Sequence, residues 1–369
     1  MRPLAGMRVI EAASYISGPF AGLALADLGA EVIKVEPPRG DPYRRFGPQD
    51  PDGGVIFRAA NRNKRSVALD LTTDSELERL HELLETADVL ITNWRPGVAE
   101  AFGLSSESVT ARWPRLVWVR VSGYGQSGPM SELPAFDSIS QARVGFADAN
   151  GPEPMLVPTY VADKVTATFA AQAALAAIVQ RGTTGRGCVV DVSMLDAMAY
   201  FDSPDLFAGH QLPERTDDRV LRMLQAPRPL ATADGWIVLA PVSGKQIKRA
   251  LIAAGLEHAL ADMRSQPDPL AASERFFELL REPLCSRTTG EWTAVFAEAD
   301  VPASAVMTVA EHLADEQVVH SAMYRIVDDP VLGKVRRARH PALFDAAPVD
   351  TDDLPCPPLN SFADESHSS

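Results

Sequence analysis

One carboxylate stands out by its setting. Asp163 lies in PTYVADKVTATFAAQ, an acid close to the start of a long, apolar, alanine-rich stretch. Two roles are open to a carboxylate there. It can satisfy the unpaired backbone N–H groups of the first helical turn, as capping residues do. Alternatively, those donors and the positive helix end keep it ionised although partly buried, and it attacks a carbonyl as a covalent nucleophile. The segment alone does not choose between them.

A second group of residues could bind an anion. Between Lys34 and Arg65, eight basic residues (Lys34, Arg39, Arg44, Arg45, Arg58, Arg62, Lys64, Arg65) stand against four acidic ones, a local charge of +4 in a chain of net charge −14. Such a run is either a solvated face of mixed charge or a pocket for a phosphorylated ligand. It follows a strand-like segment, and open α/β sheets bind ligands beyond the carboxyl ends of their strands. A third feature is SGYGQSGP, where Gly123, Gly125 and Gly128 either supply permissive φ angles or let the backbone turn close to a ligand.

Several chemistries are excluded. There is no GxxxxGK[ST] for a phosphate-binding loop, no GxGxxG in the first strand-to-helix turn (EAASYISGPFAG), no GxSxG and no HExxH. The seven histidines form no HxH or HxxxH pair, so no metal is expected. With Lys+Arg at 35 and Asp+Glu at 49, the surface repels nucleic acid and anionic membranes. Cys188, Cys285 and Cys356 are widely spaced, which fits a reducing cytoplasm better than a disulfide scaffold or a thiolate zinc site. MRPLAGMRVIEAAS does not read as a secretory leader, and no run of about 18 uninterrupted apolar residues suggests a membrane span.

The elements that must position these residues follow from periodicity. Arg8–Glu11, Glu31–Glu36, Ser66–Asp70, Asp88–Trp94, Leu116–Ser122 and Cys188–Val192 read as strands. Gly18–Gly29, Asp74–Ala87 and Thr159–Arg181 read as helices between them. Strands alternating with helices predict an α/β domain with a Rossmann-like, doubly wound, mostly parallel sheet. At 369 residues, with 46% hydrophobic and 23% charged, the chain suits two domains. The larger is expected over 1–200, completed by 330–369; 201–224 reads as a linker and 225–329 as a smaller α+β domain. In that second part PLATADGWIVLAP reads as a hairpin, Ser243–Gly255 as a helix, and 272–300 as two more helices. The tail beyond Leu354 is expected to fray.

Several segments together resemble the family III CoA transferases, a group that includes formyl-CoA and carnitine-type transferases and the related α-methylacyl-CoA racemases. They are GPFAGLALADLGAEVIKVEPPRGDPYR, NRNKRSVALDL, DVLITNWRPGVAEAFGL, VSGYGQSGP, PAFDSISQA, VADKVTATFAAQAALAAIVQRGTTGRGCVVDVSMLDA, TADG and TTGEWTAVFAEADVPASAV, in collinear order over about residues 18–306. The resemblance implies an interlocked homodimer, acyl-CoA and a carboxylic acid as substrates, CoA as a co-substrate rather than a resident cofactor, and no metal. It implies that Asp163 is the nucleophile, passing through a mixed anhydride and an aspartyl-CoA thioester. It also implies that Arg39, Arg44, Arg62, Lys64, Arg65 and Arg95 surround the CoA phosphates, with Gly123, Gly125 and Gln126 near the thioester end.

The sequence departs from the family in three places. Racemases of this group place a His where Phe136 stands in PAFD, and Phe cannot exchange a proton. Leu133 stands where a basic residue often precedes this motif, and the glycine-rich loop of formyl-CoA-type members is missing near 226–235. The alternatives to a transferase are therefore a racemase using another base, a hydrolase, or a CoA-binding protein in which Asp163 only caps its helix.

Overall fold

The computed structural model describes residues 1–362 except Pro48, Pro51, Asp52, Arg215 and Asp218. The six expected strands form a single sheet: β1 (Arg8–Ala12), β2 (Glu31–Glu36), β3 (Lys64–Ala68), β4 (Val89–Thr92), β5 (Val117–Ser122) and β6 (Val189–Ser193). Its order is β3-β2-β1-β4-β5-β6, with all five pairings parallel. The order reverses between β1 and β4, and at such a switch point the loops after neighbouring strands diverge and leave a crevice.

Side chains alternate across the sheet because successive Cβ atoms point to opposite faces. Val9, Val32, Val89, Ile91, Val117 and Val119 face one way, against α1 (Ser17–Ala26) and a later 24-residue helix. Ile10, Ile33, Leu90 and Trp118 face the other, against Leu80, Leu83 and Leu84 of α2 (Asp74–Glu85). A short helix, α3 (Asp137–Arg143), precedes that long helix, α4 (Val161–Thr184), and α5 (Met194–Asp202) follows β6. The α4 alanines 167, 170, 171, 174 and 177 are buried at helical spacing, so the small side chains let its axis come close to the sheet and to α1. By length and hydropathy α4 would pass for a membrane span, which a search for uninterrupted apolar runs does not register. Packing against β-strands accounts for that composition here.

Compact regions divide the chain differently from the expected boundaries. One unit comprises Met1–Ala147, Leu156–Phe201 and Val319–Ser369, of which 363–369 lie outside the described residues. The other comprises Asp148–Met155 and Asp202–Val318, so the stretch read as a linker belongs to it. That second unit holds β7 (Leu230–Ala231), β8 (Trp236–Leu239) and β9 (Ala303–Ala305), an antiparallel sheet in the order β9-β8-β7. With it go α6 (Gly244–Ala253), α7 (Pro269–Leu284) and α8 (Thr289–Glu298), closing over Phe276, Leu280, Trp292 and Phe296. The antiparallel pair β10 (Tyr324–Asp329) and β11 (Gly333–Ala338) lies in the first unit.

The expected fraying of the tail is corrected over 355–362. Cys356 is buried, the Phe362 N–H donates to the Ser66 carbonyl at 2.8 Å, and the Ala68 N–H donates to Asn360 Oδ1 at 3.1 Å. These bonds tie the segment along the edge strand β3, using backbone groups that would otherwise face water. The remaining tail residues, 363–369, are those outside the described set.

Candidate active site

The carboxyl ends of β1, β4 and β5 open onto a cavity of about 330 Å³. Ser14, Tyr15 and Ser17 reach it after β1, Asn93–Pro96 after β4, and Ser122 and Gly123 at the end of β5. Leu133, Ala135 and Phe136 form another wall, and Asp163 enters from the first turn of α4. This is the switch-point crevice that the strand order predicts.

The loop after β1 is clamped from two sides. Asn93 Oδ1 accepts from the Ser14 N–H at 2.9 Å, and Asn93 Nδ2 donates to the Ser14 carbonyl at 2.6 Å. The Asp41 carboxylate accepts from the Tyr15 N–H at 3.3 Å. Tyr15 itself has φ 67°, a strained conformation for a non-glycine residue that persists when its surroundings over-determine it. Its ring packs edge-to-face on Phe136, with 5.5 Å between centroids.

The clamped loop delivers Ser17 to Asp163. The hydroxyl and the backbone N–H of Ser17 both lie by the Asp163 carboxylate and favour its ionised form. Ser17 opens α1 and Asp163 lies in the first turn of α4, so two positive helix ends converge on one carboxylate. Burial nevertheless pushes the Asp163 carboxyl up to about 7; the nearby Asp137 charge adds to the rise, and Ser17 opposes it. A group poised there is ionised in substantial fraction at neutral pH yet poorly solvated, the condition in which a carboxylate attacks a carbonyl readily.

Asp163 is not the cap of its own helix. Tyr160 occupies the N-cap position without a side-chain bond, and the Asp137 carboxylate accepts from the N–H groups of Ala162 and Asp163 at 2.7 and 3.2 Å. Gln141 Nε2 in turn donates to Asp137 at 2.6 Å.

Comparison with known proteins bears on this geometry. A family model described as CoA-transferase family III matches residues 4–361. The chain belongs to CoA-transferase family III. A succinyl-CoA–D-citramalate CoA-transferase from Chloroflexus aurantiacus is 34% identical over 365 residues, spanning 95% of this chain and 90% of that protein. A succinate–glutarate CoA-transferase from Agrobacterium fabrum is 33% identical, spanning 86% of this chain and 83% of that protein. The crystal structure of a CaiB/BaiF family protein from Brucella suis superposes with a TM-score of 0.81 at 30% identity, covering 97% of this chain and 96% of that one. The chain is thus an enzyme, a family III CoA-transferase that handles CoA thioesters and carboxylates.

Within this family III enzyme the expected phosphate-binding residues separate into two groups. Arg95 lines the cavity, and Arg39 is exposed in the loop after β2. Of the other four, Arg44, Arg62 and Lys64 are engaged inside the protein, and Arg65 is exposed. Arg44 clamps Glu36 through two bonds of 2.7 Å and donates to the Pro357 carbonyl, and Arg62 pairs with Asp27. Arg65 faces Glu31 at 3.3 Å, and Lys64 is 2% exposed.

Lys64 is the clearest correction. Its ammonium contacts Glu11 at 2.7 Å and donates to the Pro19 carbonyl at 2.7 Å and Asn61 Oδ1 at 2.8 Å, and burial lowers its pKa to about 8. Glu11 also holds Lys34, which bonds the Ala13 carbonyl and Asp41. Much of the basic run is therefore the cationic half of a buried network. Moreover, the register Val32↔Lys64 puts the backbone of Arg62, Lys64 and Arg65 at the amino ends of the strands, away from the cavity.

Gly123 is required by close approach: a Cβ there would lie 2.3 Å from that of Ala135. Gly125 adopts φ 97° and donates its N–H to Ser122 Oγ at 3.0 Å, so its role in the structure is the turn itself. Neither Gly125 nor Gln126 lines the cavity. The sequence reading passed over Ser14, Ser17 and Asn93. Their signal was positional, since each follows a strand that flanks the switch point.

Proposed function

We propose that this enzyme moves CoA from an acyl-CoA to a carboxylic acid by covalent catalysis at Asp163. An Asp163 oxygen attacks the thioester carbonyl, the C–S bond breaks, and a mixed anhydride and CoA thiolate form. The thiolate attacks the Asp163 acyl carbon and expels the first acid as its carboxylate, leaving an aspartyl-CoA thioester. The acceptor carboxylate attacks that thioester, expels the thiolate and forms a second anhydride. Attack of the thiolate on the acceptor's acyl carbon releases the new acyl-CoA and restores the Asp163 carboxylate. Over the whole cycle one CoA thioester is exchanged for another, so the net reaction is close to neutral in energy.

The observation that carries this reading is the division of labour at α4. Asp137 satisfies the helix start, and Asp163 is left facing the cavity beside Ser17. The reading further includes an interlocked homodimer in the cytoplasm, on the strength of the resemblance and the three free thiols. Intact-mass measurement after mixing with a panel of acyl-CoAs tests the chemistry. A hydroxylamine-sensitive mass gain equal to CoA, lost in Asp163→Ala, is the expected result; no adduct with any donor that turns over would sink it.

The racemase alternative is disfavoured by one observation: Phe136 lines the cavity, and no histidine does so among the described residues. Incubating a 2-methylacyl-CoA with the enzyme in deuterated water is expected to leave the α-position unlabelled.

A further inference from the structure

Four charged side chains that the proposed chemistry does not use are buried beneath α1. Glu11, Lys34, Asp41 and Lys64 are each at most 2% exposed. A Cβ on Gly22 of α1 would lie 2.1 Å from Glu11 Oε2, so the helix rests directly on them. Lys34 sits between Glu11 at 2.9 Å and Asp41 at 3.1 Å, and Lys64 contacts Glu11 at 2.7 Å. Three of the four hold the backbone of one segment. Lys34 donates to the Ala13 carbonyl at 2.7 Å, Lys64 donates to the Pro19 carbonyl at 2.7 Å, and Asp41 accepts from the Tyr15 N–H at 3.3 Å. That segment, 13–19, carries Ser17.

Stability alone does not account for such a cluster, because apolar side chains of the same volume often match or better a buried ion pair. What the charges supply is direction, and the segment needs it. Tyr15 stands at φ 67°, a conformation that a tyrosine keeps only where its surroundings over-determine it. It lies two residues before Ser17, so its φ sets the course on which the chain enters α1. Asn93 fixes the preceding residue, Ser14, while the Tyr15 N–H has Asp41 as its acceptor. Asp41 is itself anchored from two sides. Lys34 faces one carboxylate oxygen, and the other also accepts from the Tyr43 N–H at 2.9 Å, capping the short helical turn at 42–45 in the loop after β2.

We infer that Asp41 is a positioning residue for the reaction at Asp163: it holds Tyr15 in the left-handed conformation and thereby sets Ser17 beside the nucleophile. Lys34 supplies the counter-charge that fixes the Asp41 carboxylate. Asp41 does not line the cavity, so it acts through the segment and not on the substrate. A displacement of about 1 Å at a reacting group can cost on the order of a hundred-fold in rate. This inference rests on the assignment of Asp163 and adds a residue outside the cavity on which that chemistry depends.

The test follows formation of the hydroxylamine-sensitive CoA adduct in a single turnover, beside calorimetric titration with free CoA. The donor is the acyl-CoA that wild type turns over fastest, starting from succinyl-CoA and acetyl-CoA. Asp41→Ala is expected to slow adduct formation roughly ten- to a hundred-fold, while free CoA binds as it does to wild type. Asp41→Asn, which keeps an acceptor and gives up the charge, should fall between, and it carries the same comparison should the alanine variant not fold. The decisive measurement is a double-mutant cycle with Tyr15→Gly. Glycine takes a positive φ unaided, so losing the Asp41 carboxylate should slow the reaction less in that background than in wild type. Equal losses in both backgrounds overturn the inference. So does adduct formation at the wild-type rate in both Asp41 variants, or a loss that weaker binding of CoA explains in full. If wild type turns a donor over without an adduct, the Asp163 chemistry fails and this inference with it. An adduct whose rate is indifferent to Asp41 removes the role of Asp41 alone.

Discussion

Asp137 caps the helix that carries Asp163. Its carboxylate takes the Ala162 N–H at 2.7 Å and the Asp163 N–H at 3.2 Å, reaching from α3 to the first turn of α4. Two carboxylates therefore share one helix start, one bonded to backbone and the other facing a cavity. The first holds the second in place and, through its charge, raises the second's pKa. An arrangement that favours chemistry while costing the folded state is a recurrent feature of active sites.

That cost is measurable as a pH-dependent stability. Asp163 binds its proton more tightly when folded, with a pKa of about 7, than when unfolded, at roughly 3.9. Ionisation thus weakens the fold, and this contribution is lost as pH rises between those two values. Asp163→Asn removes it. The variant should melt above wild type, by an advantage that grows from pH 4 to pH 7 and then levels, reaching at most about 4 kcal/mol. Thermal melts across that range check the sign; a variant less stable than wild type at pH 8 contradicts it.

The same group sets the activity profile. If the ionised form is the nucleophile, kcat/KM rises with pH and levels above about 7. Asp137→Asn keeps an acceptor for the helix start but removes the neighbouring charge, so its acid limb should move to lower pH. Asp137→Ala also loses the cap and should cost about 1 kcal/mol of stability. Rate profiles on the two variants separate the electrostatic role from the structural one.

Lys64 and Arg39 should behave oppositely although both belong to the basic run. Lys64→Met leaves Glu11 short of one partner inside the protein and should destabilise by about 3 kcal/mol, with binding of free CoA retained by the molecules that fold. Arg39→Gln, at an exposed site, should leave the melt unchanged and raise KM for CoA thioesters, with an effect that shrinks as salt increases. Calorimetric titration with CoA beside thermal melts distinguishes them.

Gly123→Ala is expected to be costly for a steric reason. The new methyl would lie 2.3 Å from the Ala135 Cβ, so the strand end and the Leu133–Phe136 wall must part. Overpacking of that kind costs roughly 1–3 kcal/mol. It should also lower kcat/KM, because both segments line the cavity. Pairing it with Ala135→Gly should recover stability.

Most of the sheet was legible because its physics is local. Alternating valines and isoleucines in RVIEA, EVIKVE and VWVRVS mark strands by period, and DSELERLHELLE marks its helix by leucine spacing. Asp163 was legible as an acid at a helix start. Whether it caps that helix was not, because the competitor for the task, Asp137, comes from another helix and only folding brings it there.

Composition and pattern alone determined the α/β class, the resemblance to the CoA transferases and the carboxylate most worth testing. Charge counting misled at Lys64, Arg62 and Arg44, because a sum over sequence cannot distinguish a cation facing solvent from one bonded to Glu11, Asp27 or Glu36 across strands. Tertiary structure decided those partners, brought Ser17 beside Asp163, and left Arg95 in the same cavity with no partner among the described residues. The physical reason is distance: strand and helix periods are set by neighbours along the chain, whereas desolvation and ion pairing are set by groups that meet only when the sheet has assembled.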